Sequence, residues 1–296
     1  MPVRFSRVTI IGTGLVGGSF ALALRKLRPR PRVVGWDKPE VLRVARKRGA
    51  IDKAEPNLAR AVAGADLVYM ALPVGATLEV LPQIARAAAP KALVTDAASS
   101  KRAICARADE CFPRAPSGRR AAFFLGGHPM AGKEVSGIAA ADAKLFHGAR
   151  YALISRGGES GKKVDPRVAA FDALLRKLGA QPIWMNAESH DRAAAIVSHL
   201  PQLLAVALAG VVRAATDESG LPVTLAGRGL RDALRLAGSP YSVWRDIVLT
   251  NTDHIDAALD RMGQAIENLR AVLRGRELEA EFADAAELYK ILHDLQ

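Results

Sequence analysis

Short apolar runs alternate with amphipathic stretches through the first half of the chain. Val8 to Ile11, Val33 to Trp36, Leu67 to Ala71, Leu93 to Thr95 and Phe123 to Gly126 each read as buried strands. Strands separated by helical stretches predict a mostly parallel, doubly wound sheet. Two further strand candidates, Tyr151 to Ile154 and Pro182 to Met185, flank a helix predicted over Asp165 to Leu178 and extend or cap the same sheet. The Gly-rich segment Arg156 to Lys163 reads as a surface loop. Beyond Asn186 the strand signals stop. Glu188 to Thr216, Leu221 to Ala237, Ser242 to Arg274 and Glu277 to Leu295 read as helices, the first apolar on most of its circumference around Leu203 to Val212. Such a helix packs against other helices or a partner subunit. The expected organisation is an α/β domain over 1–185 and an all-α domain over 186–296.

A chain of 296 residues, half of them hydrophobic, can bury a core in each of two domains without disulfides. Cys105 and Cys111 lack metal-ligand spacing, so no metal site is expected. Together with an N-terminus that runs directly into a strand, they fit a cytoplasmic protein. No apolar run approaches the roughly 20 residues that span a bilayer, so no membrane segment is expected. The net charge of +12 raises nucleic acid, membrane surfaces and acidic ligands as partners. Yet the basic residues are scattered and aromatics are few, which favours a solvated surface and no nucleic-acid partner.

Gly12-Thr13-Gly14-Leu15-Val16-Gly17-Gly18 follows the first strand and opens a helix, the context in which G-x-G-x-x-G signifies dinucleotide binding. Gly12 makes the tight turn, Gly14 admits a pyrophosphate to the backbone, and Gly17 lets helix and strand pack closely. Leu15 and Val16 complete the cofactor-binding turn at the helix N-terminus, whose free N–H groups and dipole attract the diphosphate. Asp37, at the end of the second strand, can bond the adenosine ribose hydroxyls and would repel a 2′-phosphate. This is an α/β Rossmann-type N-terminal domain whose expected cofactor is NAD in preference to NADP.

Ligands of such sheets bind outside the carboxyl ends of the strands. There the sequence places Leu72 and Pro73 beside the cofactor, then Asp96 to Lys101, then Gly126 to Gly132. His128 is the acid/base candidate, because imidazole titrates near neutrality and a dehydrogenase must manage a hydroxyl proton as hydride leaves. Ser99 can bond the same hydroxyl or orient the imidazole. Lys101 either binds an anion or supports the turn.

The whole pattern resembles the prephenate and arogenate dehydrogenases of tyrosine biosynthesis. The resemblance rests on GTGLVGGS at Gly12 to Ser19, TDAASSK at Thr95 to Lys101, GGHPMAGKEVSG at Gly126 to Gly137, SHDR at Ser189 to Arg192, SHLPQ at Ser198 to Gln202, and GLRDALRLAGS at Gly229 to Ser239 followed by WRDI at Trp244 to Ile247. It implies NAD-dependent oxidative decarboxylation of a cyclohexadiene, prephenate or arogenate, with aromatisation as the driving force. It assigns His128 as the base on the substrate hydroxyl, Ser99 to the same hydroxyl, and Arg235 to a substrate carboxylate. Glu134 and Asp232 match positions that form an ionic network with that arginine, Asp232 across a dimer interface. The C-terminal domain is accordingly an all-α dimerisation domain, and a homodimer is expected through its helices.

The residues themselves point the same way for the arginine. Arg228, Arg231 and Arg235 stand at i, i+3 and i+7, placing three cations on one helical face, and a guanidinium grips a carboxylate bidentately. Arg231 is the second substrate-binding candidate. His199 reads as facing or supporting the substrate, and His190 as a helix-start and packing residue. Many members of the family carry a second histidine where this chain has Gln202. A neutral amide near the substrate side chain leaves open whether that chain is a pyruvyl group or an amino acid. The alternative is another NAD(P)-dependent dehydrogenase with a helical C-terminal domain, of the 3-hydroxyacid dehydrogenase kind. From a different class, the basic charge motivates an NAD sensor or nucleic-acid-binding regulator, which requires a clustered basic surface.

Overall fold

The structure, a computed structural model, describes residues 3–112, 121–133, 135–154, 165–216 and 220–294. Glu134, the whole of the Arg156 to Lys163 segment read as a loop, and Leu295 thus lie outside the described residues. The chain forms two compact units, residues 1–194 with 238–250, and residues 195–237 with 251–296.

The first unit is built on eight strands: β1 Arg7–Ile11, β2 Arg32–Trp36, β3 Lys53–Ala54, β4 Leu67–Met70, β5 Leu93–Asp96, β6 Phe123–Pro129, β7 Arg150–Ile154 and β8 Gln181–Met185. They form one sheet in the order β3-β2-β1-β4-β5-β6-β7-β8. Pairing is parallel from β3 through β6, antiparallel between β6 and β7, and parallel again between β7 and β8. The last two strands extend the sheet, as expected. β3 carries no sequence signal because two residues are too few to show a period.

Successive strand residues face opposite sides, and both sides are covered. Ile10, Tyr69, Leu93, Leu125 and Leu153 enter one core, where they meet Phe20 and Leu24 of α1 (Leu15–Leu24), Leu42 of α2 (Pro39–Lys47) and Phe171 of a later helix. Ile11, Val68, Met70, Val94 and Phe124 enter the other, against α3 (Leu58–Val62), α4 (Val74–Ala87) and α5 (Arg102–Cys111). The Phe171 helix, α6 (Pro166–Lys177), lies close to its predicted span, with Asp165 capping the N–H of Arg167.

The sequence Glu188 to Thr216 is not one regular helix. α7 (Ala187–Ala194) runs into a π-helical turn at Ala195–His199 and then into α8 (Leu200–Ala215). The whole run Ala187–Ala215 is long and apolar enough to cross a bilayer on length and composition, contrary to the expectation that no segment is. The charges sit at its ends, Glu188, Asp191 and Arg192 at one and Arg213 at the other, leaving the middle apolar. Val206, Leu208 and Val211 of that middle are exposed in this chain.

After α9 (Leu221–Thr224) and α10 (Arg228–Ala233), the predicted helix Ser242 to Arg274 divides at Asn251 into α11 (Tyr241–Thr250) and α12 (Thr252–Val272), followed by α13 (Glu277–Asp294). The physical cause lies in the first unit. Asp246 accepts the N–H of Gly75 (3.0 Å) in the first turn of α4, and Ile247 is buried in the second core, so α11 belongs to the sheet while α12 belongs to the second unit.

Candidate active site

The glycine turn is closed by contacts that admit no side chain. Gly12 has φ +88°, and a Cβ there would lie 2.4 Å from the carbonyl oxygen of Ala71. A Cβ on Gly17 would lie 1.9 Å from the Gly12 carbonyl oxygen. Gly14 differs, because nothing of the protein comes within 4 Å of where its Cβ would be. That open space at the start of α1, where Leu15 and Val16 are half-buried and supply no side-chain cap, fits a diphosphate bound by backbone N–H groups. Asp37 stands at the end of β2 as expected, its Oδ2 accepting the Thr13 N–H (2.6 Å) and its Oδ1 the Lys38 N–H (2.7 Å). The carboxylate is therefore oriented at the glycine turn. Leu72 reaches the same turn, its Cδ2 being 2.8 Å from the position of a Gly12 Cβ, and Pro73 caps α4 beside it. The residues present suit a dinucleotide.

At the end of β5 the turn is held by a fully buried ion pair between Asp96 and Lys101. Asp96 also accepts the N–H groups of Ala98 (3.0 Å) and Gly127 (3.1 Å), and the Lys101 ammonium donates to the Gly127 carbonyl (2.8 Å). A buried pair is tolerable only when its remaining donors and acceptors are satisfied in this way. Lys101 supports the turn and is not exposed to an anion. Ser99 projects half-buried from that turn, between Ala98 and a buried Ser100 whose hydroxyl meets that of Thr250 (2.7 Å).

His128 lies inside β6 and not beyond its end. The Gly-Gly-His-Pro sequence suggests a turn, but antiparallel β7 continues the pairing and sets His128 opposite Ala152. Gly127 is required there because a Cβ would meet the Asp96 carbonyl oxygen at 2.7 Å. The His128 imidazole is buried, and its Nδ1 is 2.9 Å from Nε2 of His190. His190 Nδ1 is in turn 2.7 Å from Oδ1 of Asp191. Asp191 accepts the backbone N–H of Lys101 (2.7 Å) and of Arg102 (2.8 Å), and so caps the α5 N-terminus. Burial alone raises the Asp191 carboxyl, but the hydrogen bonds from His190, Arg102 and Lys101 outweigh it and hold the group below its usual range. From sequence His190 reads as a helix-start and packing residue, and Asp191, within SHDR, carries no assigned role. The available signal was the adjacent His-Asp pair in SHDR at the start of α7.

The second unit carries the other candidates. His199 ends the π-helical turn, buried, with Nδ1 3.2 Å from the Asn251 amide nitrogen. Gln202 is buried too, and its amide donates to the Leu236 carbonyl (2.9 Å), within the 3-10 turn Arg235–Gly238. Arg231, Asp232 and Arg235 are exposed. The expected single helical face of Arg228, Arg231 and Arg235 does not form. α10 stops at Ala233, and Arg235 begins the tighter turn that Gln202 anchors, so the 3.6-residue period does not carry across.

The description "Prephenate dehydrogenase, nucleotide-binding domain" matches residues 20–183, and "Prephenate dehydrogenase, dimerization domain" matches residues 186–293. The chain belongs to the prephenate dehydrogenase family. A prephenate dehydrogenase of Lactococcus lactis subsp. cremoris is 34% identical over 93% of this chain and 73% of that protein. The prephenate dehydrogenase of Aquifex aeolicus, solved with hydroxyphenyl propionate and NAD+, is 27% identical with a TM-score of 0.84 over 98% of each chain. The Synechocystis arogenate dehydrogenase is 26% identical with a TM-score of 0.78, over 97% of this chain and 99% of that one. As a member of this family the chain is an oxidoreductase, with a Rossmann-like, mostly parallel sheet in the region matched as nucleotide-binding and helices in the region matched as the dimerization domain.

Proposed function

We propose that this protein oxidatively decarboxylates prephenate to 4-hydroxyphenylpyruvate, arogenate to tyrosine, or both, as a step of tyrosine biosynthesis in the cytoplasm. The observation that carries this reading is a buried histidine, His128, backed by His190 and Asp191 in the same unit as an intact dinucleotide turn.

The chemistry divides among named side chains. His128 takes the proton of the ring hydroxyl, with Ser99 bonding the same oxygen. NAD, when bound, accepts the hydride of the carbinol carbon. As the C–H electron pair leaves and the hydroxyl becomes a carbonyl, the ring carboxylate departs as carbon dioxide, and its bonding electrons move through the ring onto the carbonyl oxygen to give an aromatic phenolate, which takes up a proton to become the phenol. Arg235, with Arg231 as the second candidate, holds a substrate carboxylate, and Asp232 is the candidate that orients Arg235. His199 and Gln202 shape the region of the substrate side chain. Gln202 does this by holding the turn that presents Arg235, which its bond to Leu236 supports. Asp37 selects NAD over NADP.

The exposed apolar residues of α8, α12 and α13, among them Val211, Ile266 and Phe282, support a homodimer formed through the C-terminal helices. Reduced-cofactor formation, measured with prephenate and arogenate separately against NAD and NADP, tests the reading. Turnover with either substrate and NAD is expected. Absence of turnover in every combination, by folded protein that binds NAD, refutes it and favours a 3-hydroxyacid dehydrogenase. A monomeric mass by light scattering at micromolar concentration refutes the dimer.

A further inference from the structure

The role of His128 as base, on which this inference rests, requires a lone pair on one particular ring nitrogen, and neutral imidazole offers only one. We infer that Asp191 and His190 fix that lone pair on Nε2 of His128, making both of them positioning residues for the base. Each link follows from the donor and acceptor inventory. Asp191 is ionised and accepts only, so the 2.7 Å contact puts a proton on His190 Nδ1. Neutral His190 then has a bare Nε2, which accepts across the 2.9 Å contact from His128 Nδ1–H. His128, holding its proton on Nδ1, carries its lone pair on Nε2.

The anchoring residue is itself immobile. Asp191 is fully buried, takes two backbone N–H groups at the positive end of α5, and has Arg102 Nε 3.6 Å from its second oxygen. Arg102 in turn reaches Glu188 at 3.5 Å. The adjoining Asp96 and Lys101 neutralise one another. When His128 Nε2 accepts the hydroxyl proton the ring becomes an imidazolium with both nitrogens protonated. Its Nδ1–H still donates to His190, whose dipole is oriented by the Asp191 carboxylate. No proton has to leave the pair during the step.

The test is a direct tautomer measurement on enzyme carrying 15N-labelled histidine, by long-range 15N–1H correlation. The chain has 6 histidines, and the spectrum of His128→Asn identifies the resonance of interest. The expected result is His128 protonated on Nδ1 in the free enzyme. In His190→Leu, which removes the acceptor, the proton shifts toward Nε2 and kcat falls about 10- to 100-fold, the worth of one strong buried hydrogen bond, while NAD affinity is retained. His190→Gln keeps an acceptor near the imidazole Nε2 position, so it retains the Nδ1–H form and recovers most of kcat. A wild-type His128 protonated on Nε2 overturns the inference. So does a Gln variant that folds, binds NAD and is as impaired as Leu. Because the tautomer is read without substrate, it separates from the base assignment: full turnover by His128→Asn refutes the base whatever the tautomer.

Discussion

Replacing Gly17 and Gly14 separately by alanine asks whether the glycine turn serves packing at one position and ligand approach at the other. At Gly17 the added Cβ falls 1.9 Å from the Gly12 carbonyl oxygen, 2.9 Å from Ile10 Cγ2 and 3.1 Å from Ala71 Cβ. Relieving the first contact to an ordinary separation moves α1 off β1 by about 1.5 Å, in a core packed as densely as an organic crystal. Overpacking of this kind costs about 1–3 kcal/mol, and each kcal/mol lowers Tm by about 2–4 °C in a domain of this size. At Gly14 the Cβ meets nothing within 4 Å, so the fold is spared. The methyl instead occupies the space assigned to the diphosphate. Losing one charge-assisted hydrogen bond there weakens NAD about 10- to 150-fold. Thermal melts and NAD titration by protein fluorescence, run on both variants, separate the effects. Gly17→Ala is expected to lose Tm and affinity together, and Gly14→Ala affinity alone. An NAD affinity unchanged in Gly14→Ala, or an equal Tm loss in both, refutes the assignment of the open face to the cofactor.

Other perturbations probe the chemistry and the frame. His128→Asn should leave NAD binding intact and cut turnover by about 10²- to 10⁴-fold, as loss of a general base does; near-normal kcat removes it from the mechanism. Arg235→Gln should mainly raise the substrate KM, because a carboxylate is held both before and during the reaction; an unchanged KM moves that role to Arg231. Asp246→Ala should cost about 0.5–2 kcal/mol in a denaturant titration, since the α4 N–H of Gly75 loses its acceptor, and an unchanged midpoint denies the α11 contact its weight. Acid should destabilise the protein through both buried caps. The Arg245 hydrogen bond, with that of Gly75, holds Asp246 below its ordinary value, and His190, Arg102 and Lys101 do so for Asp191 against burial. Groups with depressed folded pKa values stabilise fully above the unfolded value and lose that contribution as pH falls through the folded one. The unfolding midpoint should therefore drop from about pH 5 downward, and a flat profile to pH 3 contradicts it.

Much of this protein is legible from local pattern. Apolar runs and helical periods are short-range properties, so the strands from Val8 to Leu125, helix α6 and the all-helical second half follow from sequence, as does the glycine turn, in which Gly12 and Gly17 have a steric reason and Gly14 leaves open space. The family resemblance extends that reading to the reaction. Only the tertiary structure decided the rest, because it depends on partners far apart in the chain. β7 arrives antiparallel and draws His128 into a strand. Asp246, 171 residues from Gly75, breaks a helix that its own sequence would continue. Gln202 anchors the turn that takes Arg235 off the predicted arginine face. His190 comes within a hydrogen bond of His128 from 62 residues away. Periodicity says which face of an element is apolar; it does not say which polar atom of another element will meet a ring nitrogen, and that meeting fixes where the base carries its proton.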